Sequence, residues 1–148
     1  MTAEQVYADS SALGLLFLHQ PGSREMSAWR ARIQGALPMT HFGRTEIVNA
    51  IGLTVYRGNL AAEQAGRLLE RLTADFAQGH LVQVDILWRA ALNRAVELSR
   101  AHTPKLGTRS LDVLHVTCAL ELKLPYFLTC DERQQKLARA TGLKIVKI

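Results

Sequence analysis

A chain of 148 residues, 48% hydrophobic and 21% charged, is long enough for one domain with a real core and too apolar for intrinsic disorder. Two cysteines, Cys118 and Cys130, exclude a disulfide scaffold, and with no Cys-x-x-Cys pair and five scattered histidines they also exclude a zinc site. Eighteen Lys and Arg against 13 Asp and Glu leave a net charge of +5, and 13 of those bases are arginine, whose planar fork suits phosphate oxygens.

The predicted elements alternate. A short strand over 5–8 leads into a helix over 11–19, closed by the turn residues Gln20, Pro21 and Gly22. The apolar run 12–18 has no basic segment before it and follows Glu4 and Asp9, so it is not read as a leader. A helix over 23–34 stops at Gly35, and a second strand over 36–40 contains Pro38, which suits an edge or entry position. Ile47, Ile51 and Val55 form an apolar stripe on a helix over 44–57, and Leu68, Leu69, Leu72 and Phe76 do so on one over 60–78. A strand over 80–84, a helix over 86–101, a loop over 103–107 and a helix over 110–122 follow. A strand over 126–130, a helix over 131–141 and a last strand over 143–148 complete the chain. No apolar run approaches the roughly 18 residues of a membrane span, and a cytoplasmic protein without membrane contact is expected. Short apolar strands alternating with helices predict a single domain over 1–148, a three-layer α/β/α sandwich with a mainly parallel five-stranded sheet.

In such sheets ligands bind beyond the carboxyl ends of the strands. Asp9 follows the first predicted strand, Glu46 opens the helix after the second, Asp131 follows the fourth, and Asp112 lies in the first turn of its helix. Each alone reads as a helix cap or a first-turn acid complementing the helix dipole. Four together, three on one rim if the strands are parallel, read differently: crowded carboxylates repel unless a cation lies among them, and an all-oxygen set suits Mg²⁺ or Mn²⁺. An acidic site on a basic chain fits metal-assisted cleavage of a polyanion's phosphodiester bonds.

The stretches VYADSSAL, TEIVNA, TRSLDVLHVTCALEL and FLTCDERQQKLARATGLKIV, in this order, resemble the PIN domain, and more narrowly the VapC-type toxin ribonucleases of toxin–antitoxin pairs. The resemblance implies a parallel five-stranded sheet, an acidic pocket for Mg²⁺ or Mn²⁺, endoribonuclease activity, a cognate antitoxin and a homodimer. It places the family's acids on Asp9, Glu46, Asp112 and Asp131, all four as catalytic residues and metal ligands. Thr129, of the Thr-x-Asp motif, and Ser10 take supporting roles. Arg44 and Arg109 lie beside site acids, where contact with RNA phosphate and simple exposure weigh equally. His115, one turn beyond Asp112, reads as packed or hydrogen-bonded rather than as a ligand of a hard ion. Trp29 and Trp88 read as packing residues, Cys118 as a small buried hydrophobe.

A haloacid-dehalogenase phosphatase needs a second aspartate two residues after the first, and Ser11 stands there; a response-regulator receiver needs an acidic pair and a late lysine, and neither is evident. The expected activity is hydrolysis of RNA by a metal-activated water, leaving a 5′-phosphate and a 3′-hydroxyl. Asp9, Asp112 and Asp131 are the direct ligands; Glu46 binds a second ion, reaches the metal through water, or assists proton transfer. The alternative is a catalytically inactive PIN-like module that binds RNA or protein. The helices between 23 and 78 carry the apolar positions assigned to partner contacts.

Overall fold

The computed structural model describes residues 1–148 and contains five strands and seven α-helices. A 3-10 turn, Ala3–Gln5, leads into β1 (Val6–Ala8), followed by α1 (Ser10–Phe17), α2 (Ser23–Arg32), β2 (Leu37–Thr40), α3 (His41–Tyr56) and α4 (Ala62–Ala77). The second half comprises β3 (Leu81–Val84), α5 (Trp88–Leu106), α6 (Ser110–Glu121), β4 (Tyr126–Leu128), α7 (Glu132–Ala140) and β5 (Lys144–Ile145). All three ladders are parallel: β1 with β4, β4 with β5, and β2 with β3.

The layering is that of an α/β/α sandwich, read directly from strand alternation. Val6 and Ala8 of β1 and Leu128 of β4 enter one apolar cluster with α1–α4; Tyr7 and Phe127 point the other way, into a second cluster with α5–α7. Phe127 is fully buried and its ring stacks on Tyr7, centroids 5.6 Å apart and planes nearly parallel.

The single five-stranded sheet is not formed. The strands divide into β1-β4-β5 and β2-β3, with β2 beside β1 but unpaired to it. Pro38 supplies a reason. The amide of Leu37 donates to His80 on the β3 side, so alternation turns position 38 toward β1, where proline has no N–H to give. Two helix boundaries also differ from expectation. The loop expected over 103–107 is helical to Leu106, since Pro104 lies in the last turn of α5 and Gly107 ends it in the left-handed conformation (φ 64°). Helix α3 begins at His41, capped by Thr40, so Glu46 lies in its second turn and not its first.

Gly35 adopts φ 96°, and a Cβ there would collide with the Glu4 carboxylate, which accepts from the Ala36 amide at 3.1 Å. Gly35→Ala is expected to cost about 2 kcal/mol, combining left-handed strain with a displaced hydrogen bond. Urea unfolding measures it, and an unchanged midpoint would contradict this account.

Candidate active site

Strand β1 delivers Asp9 to the carboxyl rim. Its amide donates to Leu128 O at 3.0 Å, continuing the β1–β4 pairing to the carboxylate itself. The carboxylate caps α1: Oδ1 accepts from the Ala12 amide at 3.0 Å and from Ser11 Oγ at 2.7 Å. The bonding extends beyond capping, however, because Oδ2 accepts from Thr129 Oγ1 at 2.7 Å, across 120 residues of sequence. Asp9 is 4% exposed and no basic side chain pairs with it. Burial raises its pKa, opposed by the nearby His115 and by the bonds from Ala12, Ser11 and Thr129.

Thr129 joins this residue to the others. Its hydroxyl oxygen accepts from the Asp131 amide at 3.1 Å and lies 2.6 Å from Gln134 Oε1. Asp131 caps α7 by accepting from the Gln134 amide at 3.0 Å. The Gln134 side chain, fully buried, donates from Nε2 to the backbone carbonyl of Asp112 at 3.1 Å. Asp112 sits in the first turn of α6, its Oδ2 accepting from the Arg109 amide at 3.2 Å. Asp9, Thr129, Asp131 and the backbone of Asp112 therefore form one hydrogen-bonded set spanning β1, β4, α6 and α7.

Glu46 joins from α3 through an intermediary. Its Oε1 lies 2.5 Å from Nε2 of His115, whose Nδ1 lies 2.8 Å from the Tyr7 hydroxyl. Burial pushes the Tyr7 phenol well above its usual range.

The remaining candidates differ in placement. The Ser10 side chain makes no hydrogen bond; Ser11 bonds Asp9 and accepts from the Cys130 amide at 3.1 Å. Arg109 is exposed without a carboxylate partner, whereas Arg44 lies over the Phe76 ring at 4.9 Å. Trp29 is buried and Trp88 is exposed at the start of α5. Cys118 is buried, its thiol pushed up to about 11, and burial also raises the exposed-edge thiol of Cys130, so neither is a ready thiolate.

Sequence reasoning missed Gln134 and the role of Tyr7. Gln134 shares a helical face with buried Leu137 and Ala138, and a polar residue on an apolar face is a readable signal. Tyr7 carries no such mark in sequence.

The donor chemistry fits a hard divalent cation, since all four acids offer carboxylate oxygen and Asp9 has no cationic partner. Their spacing is not that of a closed coordination sphere: no three Asp, Glu, His or Cys side chains gather closely enough to hold one ion, and each acid is engaged locally.

No protein-family model matches the chain, and no curated protein matches it. Among solved structures, the crystal structure of FitAcB from Neisseria gonorrhoeae is similar, with a TM-score of 0.68 over 96% of this chain and 96% of that one, at 16% sequence identity. A likeness at that identity concerns the fold alone, and the α/β architecture expected from the sequence is the one this chain shares with that structure.

Proposed function

We propose that this protein is a metal-dependent endoribonuclease and the toxin of a toxin–antitoxin pair. The observation that supports it best is the bond from Thr129 to a buried, cation-free Asp9, with Asp131 tied to the same hydroxyl. A capping role alone would not require β1 and β4 to share a carboxylate. Mg²⁺ or Mn²⁺, held by Asp9, Asp112 and Asp131 with Glu46 beside them, would supply Lewis acidity and a water of lowered pKa. Ser11, Ala12 and Thr129 fix the Asp9 carboxylate, and the caps of α6 and α7 fix Asp112 and Asp131. Arg109, exposed next to Asp112, is placed to attract the RNA backbone, with Arg44 further along α3 and Ser10 beside Asp9. Cleavage would leave a 5′-phosphate and a 3′-hydroxyl.

A cognate antitoxin and a homodimer are the proposed partners, on the sequence resemblance and the fold likeness together. Exposed apolar side chains lie on α3 (Val48, Leu53, Tyr56) and, four residues apart, on α5 (Trp88, Leu92, Val96). No helix is long and apolar enough to cross a membrane.

The second reading, an inactive module that binds RNA or protein, is favoured by one observation: the acids do not gather around a common point. Calorimetry with Mn²⁺ separates the two, combined with cleavage of total RNA and mapping of the ends. Uptake of Mn²⁺, with a Tm rise of several degrees at saturating metal and cleavage abolished by a chelator, is expected. Purified protein that takes up neither Mn²⁺ nor Mg²⁺ would refute the nuclease.

A further inference from the structure

Glu46 is held by His115, a side chain that is itself packed and hydrogen-bonded. His115 is 3% exposed; the Phe42 ring lies against it with centroids 4.6 Å apart, and Tyr7 meets it edge-on at 5.7 Å. Phe42 and Glu46 are one turn apart on α3, so both reach His115 from the same helix face. Tyr7 is in turn fixed by its stack on Phe127. This arrangement bridges the break between the two sheets, since Tyr7 belongs to β1 and Glu46 to the helix that follows β2.

The hydrogens can be followed around the circuit. A carboxylate only accepts, so the 2.5 Å approach of Glu46 Oε1 takes a hydrogen from Nε2 of His115. In the neutral ring Nδ1 then carries only a lone pair, and the Tyr7 hydroxyl 2.8 Å away supplies the hydrogen to it. Which ring nitrogen of a histidine carries the hydrogen is set by the bond the other makes. We propose that Tyr7 and His115 are positioning residues for Glu46: Tyr7 donates to Nδ1, and the ring hydrogen sits on Nε2, aimed at Glu46 Oε1. One carboxylate oxygen is thereby immobilised, while Oε2, which has no protein partner, is left to act. The consequence for catalysis rests on the nuclease reading; the hydrogen placement does not.

The test has a spectroscopic and a kinetic arm on the full chain. Long-range ¹⁵N–¹H correlation of the histidine rings, with the His115 signals assigned by their loss in His115→Gln, is expected to show the hydrogen on Nε2 and a bare Nδ1. Tyr7→Phe, which keeps the ring stack, is expected to disturb that pattern. A hydrogen on Nδ1, on both nitrogens, or a spectrum unchanged by Tyr7→Phe overturns the proposal. In kinetics, Tyr7→Phe is expected to lower kcat about tenfold with KM unchanged, and His115→Leu about 100-fold, with His115→Gln recovering part of the loss because its amide can still donate to Glu46. In a Glu46→Gln background the Tyr7→Phe effect is expected to vanish; an equal loss there also overturns it. Wild-type protein that cleaves nothing while showing hydrogen on Nε2 defeats the nuclease and leaves the positioning standing.

Discussion

Asp9→Asn is expected to reduce RNA cleavage by about 10⁴-fold while making the metal-free protein more stable at neutral pH. The activity loss follows from removing the charge that would bind the metal. The stability gain follows from burial. The carboxyl titrates higher in the folded protein than in the unfolded chain, because burial disfavours its charged form. The folded state therefore binds that proton more tightly, and stability is lost as pH rises through the folded pKa. The amide side chain carries no charge to desolvate. Its oxygen can accept from Ser11 and Ala12 as Asp9 does, and its nitrogen can donate to Thr129 Oγ1. That last bond also relieves a shortage. Thr129 has one hydroxyl hydrogen, and in the wild type both Asp9 Oδ2 and Gln134 Oε1 lie within reach of it. A gain of about 1 kcal/mol, or 2–4 °C in Tm, is expected at pH 7. The gap should close as pH falls toward about 4, where an unfolded aspartate also becomes protonated. Thermal unfolding of both proteins across that range decides it. A variant that cleaves RNA at the wild-type rate would refute the site, and one less stable at pH 7 would refute the account of burial.

Gln134→Leu is expected to lose about 1 kcal/mol and roughly 3 °C of Tm, together with most of the activity. Leu is of similar size but has no polar end, so the loss would come from the bond that the amide alone makes between the two helices. The Asp112 carbonyl loses the donor that Gln134 Nε2 provides across from α7, whereas the Thr129 hydroxyl keeps Asp9 Oδ2 as its acceptor. A hydrogen bond of this kind contributes about 0.5–1.5 kcal/mol. The backbone amide of residue 134 would still cap onto Asp131, so α7 itself should persist by circular dichroism. What fails is the tie between α7 and α6, and with it the relative placement of Asp131 and Asp112. An unchanged Tm would show that this buried amide contributes little to either.

Local order was largely legible in the chain. Short apolar runs bounded by Gly22, Gly35, Gly58, Gly79 and Gly142 mark the elements because an end of a helix or a turn needs a residue free of Cβ. The acids at helix starts were legible for the same reason, since caps have a local grammar; Asp9 and Asp131 are caps as well as site candidates. Pro104 misled because proline is read as a breaker, whereas in the last turn of α5 the helix is already ending and the missing N–H breaks little.

Composition and pattern alone determined an α/β domain, parallel strands, and the standing of Asp9, Asp112 and Asp131, though not Glu46, at helix starts, because hydrophobic period, turn residues and capping act within a few residues of themselves. Only the tertiary structure decided that the strands split into three and two, that Ser11 and Gln134 bond into the acidic set, and that His115 joins Tyr7 to Glu46. Those outcomes depend on which side chains meet across 22 to 120 residues of chain, and a buried polar group takes whatever partner the packing brings to it.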